Sequence, residues 1–336
     1  MDMDGEVIRL IKVLLVCMVS LSYCYYIASK LPKGKPRLLS LLPIFSLFAV
    51  LPLDLSYVVL TSGITIFVTW LTTFKLIQFS FDVGPLASDP PLSFPLFASI
   101  AFLPTRLRDI KTTPYVQNHK KDSIAPQKLD QEPPPKLPLN LPAKAFLFAL
   151  LVVCKSHVHL VHPVLNLIFN CGILYFYLDM IMSISNDFVR LSFGVEVRRS
   201  FDEPYLATSL QNFWGRRWNR LVSETLHNTI YKPIRYNVGS PRWMAVFMVF
   251  VVSGLMHELL FYYIIRVVPT WEVTWFFVIH GVFVALEIEL KSALGKKWKF
   301  HWAVTGPLTM AFMAVTAHWL FFPQLLRMKY CPLWQV

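Results

Sequence analysis

The sequence predicts an all-α fold, a polytopic transmembrane helical bundle of about eight spanning helices. The 336 residues are 55% hydrophobic and 15% charged, with a mean hydropathy of +0.50, whereas soluble domains carry roughly 25% charged residues. Apolar runs of about 20 residues, the length that a helix needs to cross the hydrocarbon core, recur along the chain. Most of the lysines and arginines lie in alternate segments between these runs, as in polytopic membrane proteins.

The first apolar run follows an acidic N-terminus and precedes a basic cluster. Three acidic residues come before the run from Val7 to Ala28, and four basic residues follow it within 30–37. A cleaved signal peptide would have a basic start and a small-residue cleavage site after a shorter apolar core. We therefore expect an uncleaved first span with the N-terminus outside the cytosol.

Eight runs qualify as spans. They are residues 7–29, 38–54, 56–80, 144–162, 164–185, 242–265, 271–290 and 301–323. The second ends near Pro52, which leaves its boundary loose. The run SFPLFASIAFL at 93–103 is too short to cross and is interpreted as re-entrant or interfacial. If it did cross, the count would be nine.

The charge distribution assigns a side to each connecting segment. Segments 30–37, 104–144, 186–242 and 291–299 fall on one side under alternation and hold 4, 8, 9 and 4 lysines or arginines, which is 25 of the 32 in the chain. Cytoplasmic loops collect these residues. The four segments are therefore predicted to be cytosolic, with both termini on the other side.

Two of the cytosolic segments differ in character, within a single membrane-bound domain that covers residues 1–336. Residues 104–142 contain eight prolines, including the stretch EPPPKLP, and are predicted to form an extended linker. Residues 186–241, the basic loop, include SLQNFWGRRWNRLVSETLHNTIYKPI. That stretch is aromatic, basic and compatible with helix, so we expect it to dock on the membrane face.

Residue spacing disfavours several kinds of site. The five cysteines form no CxxC pair, which indicates neither a disulfide framework nor a cysteine metal site. His157, His159 and His162 do not predict a metal site, because only the last two share a helix face. The absence of Walker, GxGxxG and GxSxG motifs gives no support to a nucleotide-hydrolysing pump. The basic segments flank spans, so the membrane accounts for them and no nucleic-acid partner is predicted.

The most apolar predicted span carries two polar residues at its centre. SGLMHELLF places His257 and Glu258 within about 23 residues that contain no other charge. An ionisable residue at this depth is a candidate functional group, and imidazole can exchange a proton near neutral pH; the alternative is a structural histidine. Ser253 lies one turn earlier on the same face beside Gly254, and small residues there allow close approach. For Glu258, a polar contact with another helix and a functional role are equally open.

The basic loop contains a second candidate in NFWGRRWN, residues 212–219. If this stretch is helical, Asn212 and Asn219 share a face, and Trp214 and Trp218 are neighbours four residues apart. Three arginines supply positive charge, namely Arg216, Arg217 and Arg220. From composition alone this would be an ordinary juxtamembrane segment, with Trp at the interface and Arg for anionic lipid.

Taken together, these stretches resemble the membrane-bound O-acyltransferase (MBOAT) superfamily and, within it, the plant wax-synthase-like family. The resemblance covers roughly residues 7 to 330. Its motifs are LPKG after the first span, FDVGPL at 81–86, NFWGRRWN at 212–219, YKPIR at 231–235, SGLMHE at 253–258 and FFPQLLR at 321–327. Relatives that esterify sterols or diacylglycerol carry a related FYxDWWN motif, of which this chain keeps Trp218 and Asn219, so the roles of Arg216 and Arg217 stay open.

The resemblance implies a helical bundle around a central tunnel for lipid and CoA, in the endoplasmic reticulum membrane. It implies His257 as the catalytic base and Asn219 as the second catalytic residue. The substrate-binding residues would be Trp214, Arg216, Arg217, Trp218, Arg220 and Ser253. Acyl-CoA would be a co-substrate and a lipid alcohol the acceptor, with no metal and no other cofactor, and the oligomeric state is unspecified.

The implied reaction transfers a fatty acyl group from acyl-CoA to a long-chain fatty alcohol and makes a wax ester. The same chemistry on a sterol or diacylglycerol, or with acetyl-CoA as donor, is an open alternative. An alternative of another class is a membrane transporter or channel with His257 in a proton or substrate path. Such a protein would show helix breaks in corresponding positions of two repeats, and we see no internal repeat in the sequence.

Overall fold

The structure, a computed structural model, describes residues 3–88, 91–107, 140–157, 163–294 and 301–327. Almost all of these residues lie in helices and the turns between them, and an isolated antiparallel bridge pairs Leu107 with Val197. The predicted all-α bundle of membrane-spanning helices is confirmed.

The helices follow one another along the chain with few long connections. α1 covers Met3–Tyr26 and α2 covers Lys35–Val50. α3 is continuous through Val58–Ile64, the π-helical Thr65–Thr72 and Thr73–Ser80. α4 covers Phe94–Phe102, α5 covers Leu141–His157 and α6 covers Pro163–Phe193. In the basic loop, α7 joins Leu210–Asn212 to the π-helical Phe213–Arg217, and α8 joins Arg220–Leu226 to His227–Tyr231 and Pro233–Asn237. α9 covers Arg242–Ile265, α10 Glu272–Leu294, and α11 continues through Trp302–Thr316, Ala317–Phe321 and Phe322–Leu326.

Seven helices of the described residues are long and apolar enough to cross a membrane, namely α1, α2, α3, α6, α9, α10 and α11. They overlap seven of the eight predicted spans. The remaining prediction, 144–162, overlaps α5, of which 17 residues are described; residues 158–162 lie outside the described part. α4 has nine residues, which is roughly 14 Å of helix and too short to cross.

α6 continues past the predicted end of its span at residue 185. A charged residue marks the end of the apolar run but does not end a helix, so α6 extends to Phe193. Gly194 then terminates it in the left-handed conformation, with φ of 65° and its N–H donating to the carbonyl of Arg190 at 2.9 Å, as glycine commonly does at a helix C-terminus. The basic loop therefore begins as the last turns of α6. Most of the predicted linker 104–142 lies outside the described residues.

Two apolar cores hold the bundle together. The first is built from α1 to α4, with Leu41, Phe48 and Ile100 fully buried. The second joins α6, α9, α10 and α11 and is rich in phenylalanine. A smaller third cluster links the two through Trp70 and Phe74 of α3 and Leu226 of α8, against which residues of α9 pack. The basic loop is thus part of the packed structure.

The LPKG and FDVGPL stretches meet at one end of the first core. The N–H of Gly34 donates to the carbonyl of Ser80 at 2.6 Å, and Lys33 pairs with Asp82 at 2.5 Å. Gly34 has φ of 94°, a conformation that favours glycine. These two early motifs join the start of α2 to the end of α3.

Candidate active site

His257 lies in the middle of α9 with a defined tautomer. Its Nδ1 is 2.7 Å from the carbonyl oxygen of Ser253, one turn earlier. A carbonyl oxygen can only accept, so Nδ1 of the neutral ring carries the proton and Nε2 carries the lone pair. Nε2 has no hydrogen-bond partner among the described residues, and the side chain is only partly buried. The arrangement leaves a proton acceptor available at Nε2.

Aromatic rings surround the imidazole of His257. The ring centroids lie 4.4 Å away for Phe277 of α10, 4.9 Å for Trp70 of α3 and 6.2 Å for Phe321 of α11. Four helices, α3, α9, α10 and α11, therefore meet at this residue. Sequence reasoning identified His257 but not Trp70, because the contact joins two spans that are far apart in sequence.

Glu258, next to His257, caps the following helix. One carboxylate oxygen accepts from the N–H of Trp271 at 2.9 Å, and the other accepts from both the N–H and the hydroxyl of Thr274 at 3.2 Å. These are N–H groups at the start of α10, which have no partner within the helix. The side chain is buried, with 4% exposed. Of the two roles left open for Glu258, the polar contact with a neighbouring helix is the one observed.

Small residues allow α9 and α10 to pack closely. A Cβ atom added to Gly254 would lie 3.1 Å from Cα of Thr274 and 3.2 Å from Cβ of Phe277. Ser253 beside it is buried, with 7% exposed, and its backbone carbonyl orients His257. The close approach expected from the SGLMHE stretch is thus a contact between two helices, and it places Phe277 against the imidazole.

Arg217 is engaged in folding the Asn219 segment. Its Nε donates to Oδ1 of Asn212 at 2.9 Å, and its Nη1 donates to the carbonyls of Asp202 and Glu203 at 3.0 and 3.1 Å. The side chain therefore holds α7 against the preceding turn. Arg216, by contrast, is exposed and makes no hydrogen bond or ion pair with a described residue.

Asn219 has an unusual backbone at the start of α8. Its φ and ψ are 35° and 65°, in the left-handed region, and its Oδ1 accepts from the N–H of Val222 at 3.3 Å. Asn tolerates this conformation better than most residues. Nδ2 donates to no described residue, so Asn219 caps the helix with its oxygen and keeps an amide N–H donor free.

Asn219 and His257 belong to one packed unit without bonding to each other. Val222, one turn after Asn219, packs in the third cluster with Val252 and Met256 of the helix that carries His257. On the other side, Trp214 contacts Phe277, with centroids 5.7 Å apart, and Phe277 contacts His257. The structure thus brings the two predicted catalytic residues into the same region of the bundle through aromatic and aliphatic neighbours.

The tryptophans of the motif face inward. Trp214 lies against Phe250 of α9 and against Phe277 and His280 of α10. Trp218 stacks on Phe213 at 5.4 Å, and its other ring neighbours include Phe201 and Tyr175. Their contacts anchor the basic loop in the bundle, which an interfacial Trp facing lipid would not do.

A group of arginines lies next to Asn219. Burial and the positive charges of Arg106 and Arg198 lower the pKa of the Arg220 guanidinium, while Glu224 opposes the shift. Arg106 itself is buried and donates its Nε to Glu224 at 2.7 Å. Guanidinium remains charged in proteins, so three positive charges lie close together here, while Glu224 and Asp202 offset part of their repulsion.

Three other histidines have different surroundings. The His227 ring stacks on Tyr231 at 4.8 Å, and burial and Lys232 lower the pKa of His227. His280 is fully buried, and His318 is exposed beside Trp319. In the described residues no group of three or more His, Cys, Asp or Glu could hold a metal ion. His159 and His162 lie outside those residues, and nothing is described for the side chain of His157.

Two supporting residues were not singled out from the sequence. Glu287 of α10 accepts from the N–H of Gln211 at 2.9 Å, at the start of α7. Gln78 of α3 donates to the carbonyl of Thr225 in α8 at 3.2 Å, and Gly84 makes room for it, because a Cβ there would meet the Gln78 amide oxygen at 2.1 Å. A polar residue inside an apolar span is the signal that could have identified both.

Known proteins resemble this chain over nearly its whole length. The model of the membrane bound O-acyl transferase family matches residues 197–279, a range that contains both Asn219 and His257. The probable long-chain-alcohol O-fatty-acyltransferase 3 of Arabidopsis thaliana is 37% identical, over 96% of this chain and 91% of the relative. The long-chain-alcohol O-fatty-acyltransferase of Simmondsia chinensis is 37% identical, over 97% of this chain and 92% of the relative. The acyl-CoA–sterol O-acyltransferase 1 of Arabidopsis thaliana is 36% identical, over 92% and 88%. The chain therefore belongs to the membrane-bound O-acyltransferase family and is an integral membrane O-acyltransferase.

Proposed function

We propose that this enzyme transfers a fatty acyl group from acyl-CoA to a long-chain alcohol and makes a wax ester. The observation that carries the proposal is the free lone pair on Nε2 of His257, whose ring is held in place by the bond from Nδ1 to the Ser253 carbonyl. Relatives that are similar over nearly the whole chain bear the name long-chain-alcohol O-fatty-acyltransferase.

In the proposed mechanism, Nε2 of His257 takes the proton of the acceptor hydroxyl as its oxygen attacks the thioester carbonyl. The C–O bond forms and the carbonyl becomes an oxyanion. The free N–H of Asn219 is the proposed donor to that oxyanion, because preorganised donors are worth most where charge develops. The intermediate then collapses, the C–S bond breaks, and the CoA sulfur leaves with the proton held by His257.

The charges fit the donor substrate. CoA carries phosphate groups, and Arg216 and Arg220 lie on the same segment as Asn219. The acyl chain and the acceptor alcohol are apolar and would reach the aromatic surroundings of His257 through the bundle. We propose that Trp214 and Trp218 line the path between these two environments, that Ser253 and Arg217 support it, and that the binding site opens to the cytosol.

The chemistry needs only groups that the chain itself supplies. His257 is a base and Asn219 a donor, so we propose that neither a metal nor an organic cofactor takes part. The expectation is that treatment with EDTA leaves ester formation unchanged. We propose the endoplasmic reticulum as the membrane concerned, which fractionation of cells that express a tagged chain would test.

A sterol is the second candidate acceptor. It is supported by the 36% identity to a relative named as an acyl-CoA–sterol O-acyltransferase. The two acceptors differ in shape, a flexible chain against a rigid ring system, while the proton transfer at His257 would be the same.

The test supplies labelled acyl-CoA and a panel of fatty alcohols, sterols and diacylglycerol to microsomes that contain the protein. We expect an ester of a long-chain alcohol as the main product, and no ester above background with His257→Ala. His318→Ala is the matched control, because this histidine is exposed on α11, and it should retain activity. Ester synthesis at the wild-type rate by His257→Ala would refute the proposed role of this residue, and a sterol ester as the main product would replace the proposed acceptor.

A further inference from the structure

Two buried polar atoms near the site have no hydrogen-bond partner among the described residues. They are Nε1 of Trp214 in α7 and Nδ1 of His280 in α10. Buried N–H groups and ring nitrogens are nearly always paired in folded proteins. The indole N–H can only donate, so the two atoms are complementary if Nδ1 of His280 is an acceptor.

The tautomer of His280 follows from Thr316 of α11. The Thr316 hydroxyl donates its hydrogen to the carbonyl of Phe312 at 2.7 Å. Its oxygen therefore accepts from Nε2–H of His280, at 3.0 Å. The neutral ring carries one proton, so Nδ1 of His280 has a lone pair and is an acceptor.

The distance between the rings suits a direct bond. Their centroids lie 5.5 Å apart with the planes tilted by 52°. A hydrogen bond of about 3 Å between ring nitrogens leaves the ring centres roughly 5 to 6 Å apart, so the observed separation matches that of a bonded pair. The other ring neighbours of His280, Phe276 and Phe312, offer no polar atom to compete.

We propose that Trp214 and His280 are positioning residues, joined in the working enzyme by a hydrogen bond from Nε1–H of Trp214 to Nδ1 of His280. The bond would fix α7 to α10 one turn from Phe277, the ring that separates Trp214 from His257. It would thereby hold the Asn219 segment in register with the proton acceptor. The effect on turnover rests on the proposed function, whereas the bond itself does not.

The test uses two substitutions of His280 in two backgrounds. The carbonyl oxygen of His280→Asn can take the place of Nδ1, whereas His280→Leu has no acceptor. With Trp214 present, we expect His280→Asn to keep a higher unfolding temperature and a kcat roughly fivefold above that of His280→Leu, the size expected of one neutral hydrogen bond. In the Trp214→Phe background no donor remains, so the buried amide of His280→Asn has an unpaired oxygen and destabilises the protein. His280→Leu should then have the higher unfolding temperature.

Trp218→Phe is the matched control background, since Trp218 has no ring contact with His280 in the described structure. In that background His280→Asn should keep a higher unfolding temperature than His280→Leu. The same order in the Trp214→Phe background as in the wild type would overturn the proposal, as would His280→Leu being at least as stable as His280→Asn with Trp214 present. The unfolding temperatures decide both outcomes even if no ester is formed, so failure of the proposed bond and failure of the proposed function can be told apart.

Discussion

At the scale of single residues, the side-chain amide of Asn219 is bonded at one end and free at the other. Its oxygen caps α8 through Val222, and its nitrogen is free. The residue also occupies a left-handed conformation, with φ of 35°, which costs most side chains about 1 kcal/mol or more. A variant that keeps the cap and the backbone but removes the donor can therefore separate folding from catalysis.

Asn219→Asp is that variant. Asp caps helices well and tolerates the left-handed region, so the protein should fold with an unfolding temperature close to that of the wild type. It offers no N–H to the oxyanion, and kcat should fall by about 10²- to 10³-fold, as for the loss of one such donor. Initial rates over a range of alcohol concentrations, beside thermal unfolding in detergent, measure both. Retention of more than a tenth of the wild-type kcat would contradict the role of Asn219 as donor.

At the scale of helices, the turn between α9 and α10 depends on Glu258. Arg266 ends α9 and Trp271 precedes α10, both with positive φ, 57° and 64°. Glu258 reaches over from α9 and bonds the first N–H groups of α10. The two helices that flank the imidazole are thus joined by close packing at Gly254 and by this carboxylate.

Glu258→Ala should destabilise the protein while leaving the chemistry of the folded fraction intact. The N–H groups of Trp271 and Thr274 at the start of α10 would lose their acceptor, at a cost of about 2 kcal/mol or more. Glu258→Gln retains one acceptor oxygen, so its stability should lie between that of the wild type and that of Glu258→Ala. Thermal unfolding together with kcat per folded molecule distinguishes these effects. A large loss of kcat in Glu258→Gln at unchanged stability would instead assign the carboxylate a part in the reaction.

Hydropathy was sufficient to locate the spanning helices, because the free energy of burying about 20 apolar residues is a local sum over the sequence. It could not set where α6 ends, since Gly194, and not the end of the apolar run at residue 185, terminates the helix. The partner of Glu258 and the contact of Trp70 with His257 join elements that only the packed bundle brings together. His257 could be singled out as a candidate because a polar residue is costly at that depth, whereas the left-handed backbone of Asn219 had no sign in composition or spacing.

At the scale of the whole molecule, α5 is the helix that decides the topology. It runs antiparallel to α6: Lys144 near its start pairs with Asp179 at 2.7 Å, and Leu151, farther along α5, contacts Gly172, which is earlier in α6. A helix that follows a spanning partner over 17 residues covers roughly 25 Å, most of the hydrocarbon thickness. The pairing therefore favours α5 as the eighth span.

Whether α5 crosses the membrane can be tested, because it decides whether the number of crossings is even or odd. Eight spans place both termini on the same side, and the basic segments predict that this is the side away from the cytosol. N-glycosylation sites added at the N-terminus, at the C-terminus and within 104–142 should be modified in microsomes at both termini and not in the linker, as seen by mobility on gels before and after endoglycosidase. Modification at the N-terminus alone would mean an odd number of crossings and would leave α5 on one side of the membrane. Modification within the linker alone would invert the orientation and place the arginines around Asn219 on the side opposite to the one proposed for acyl-CoA binding.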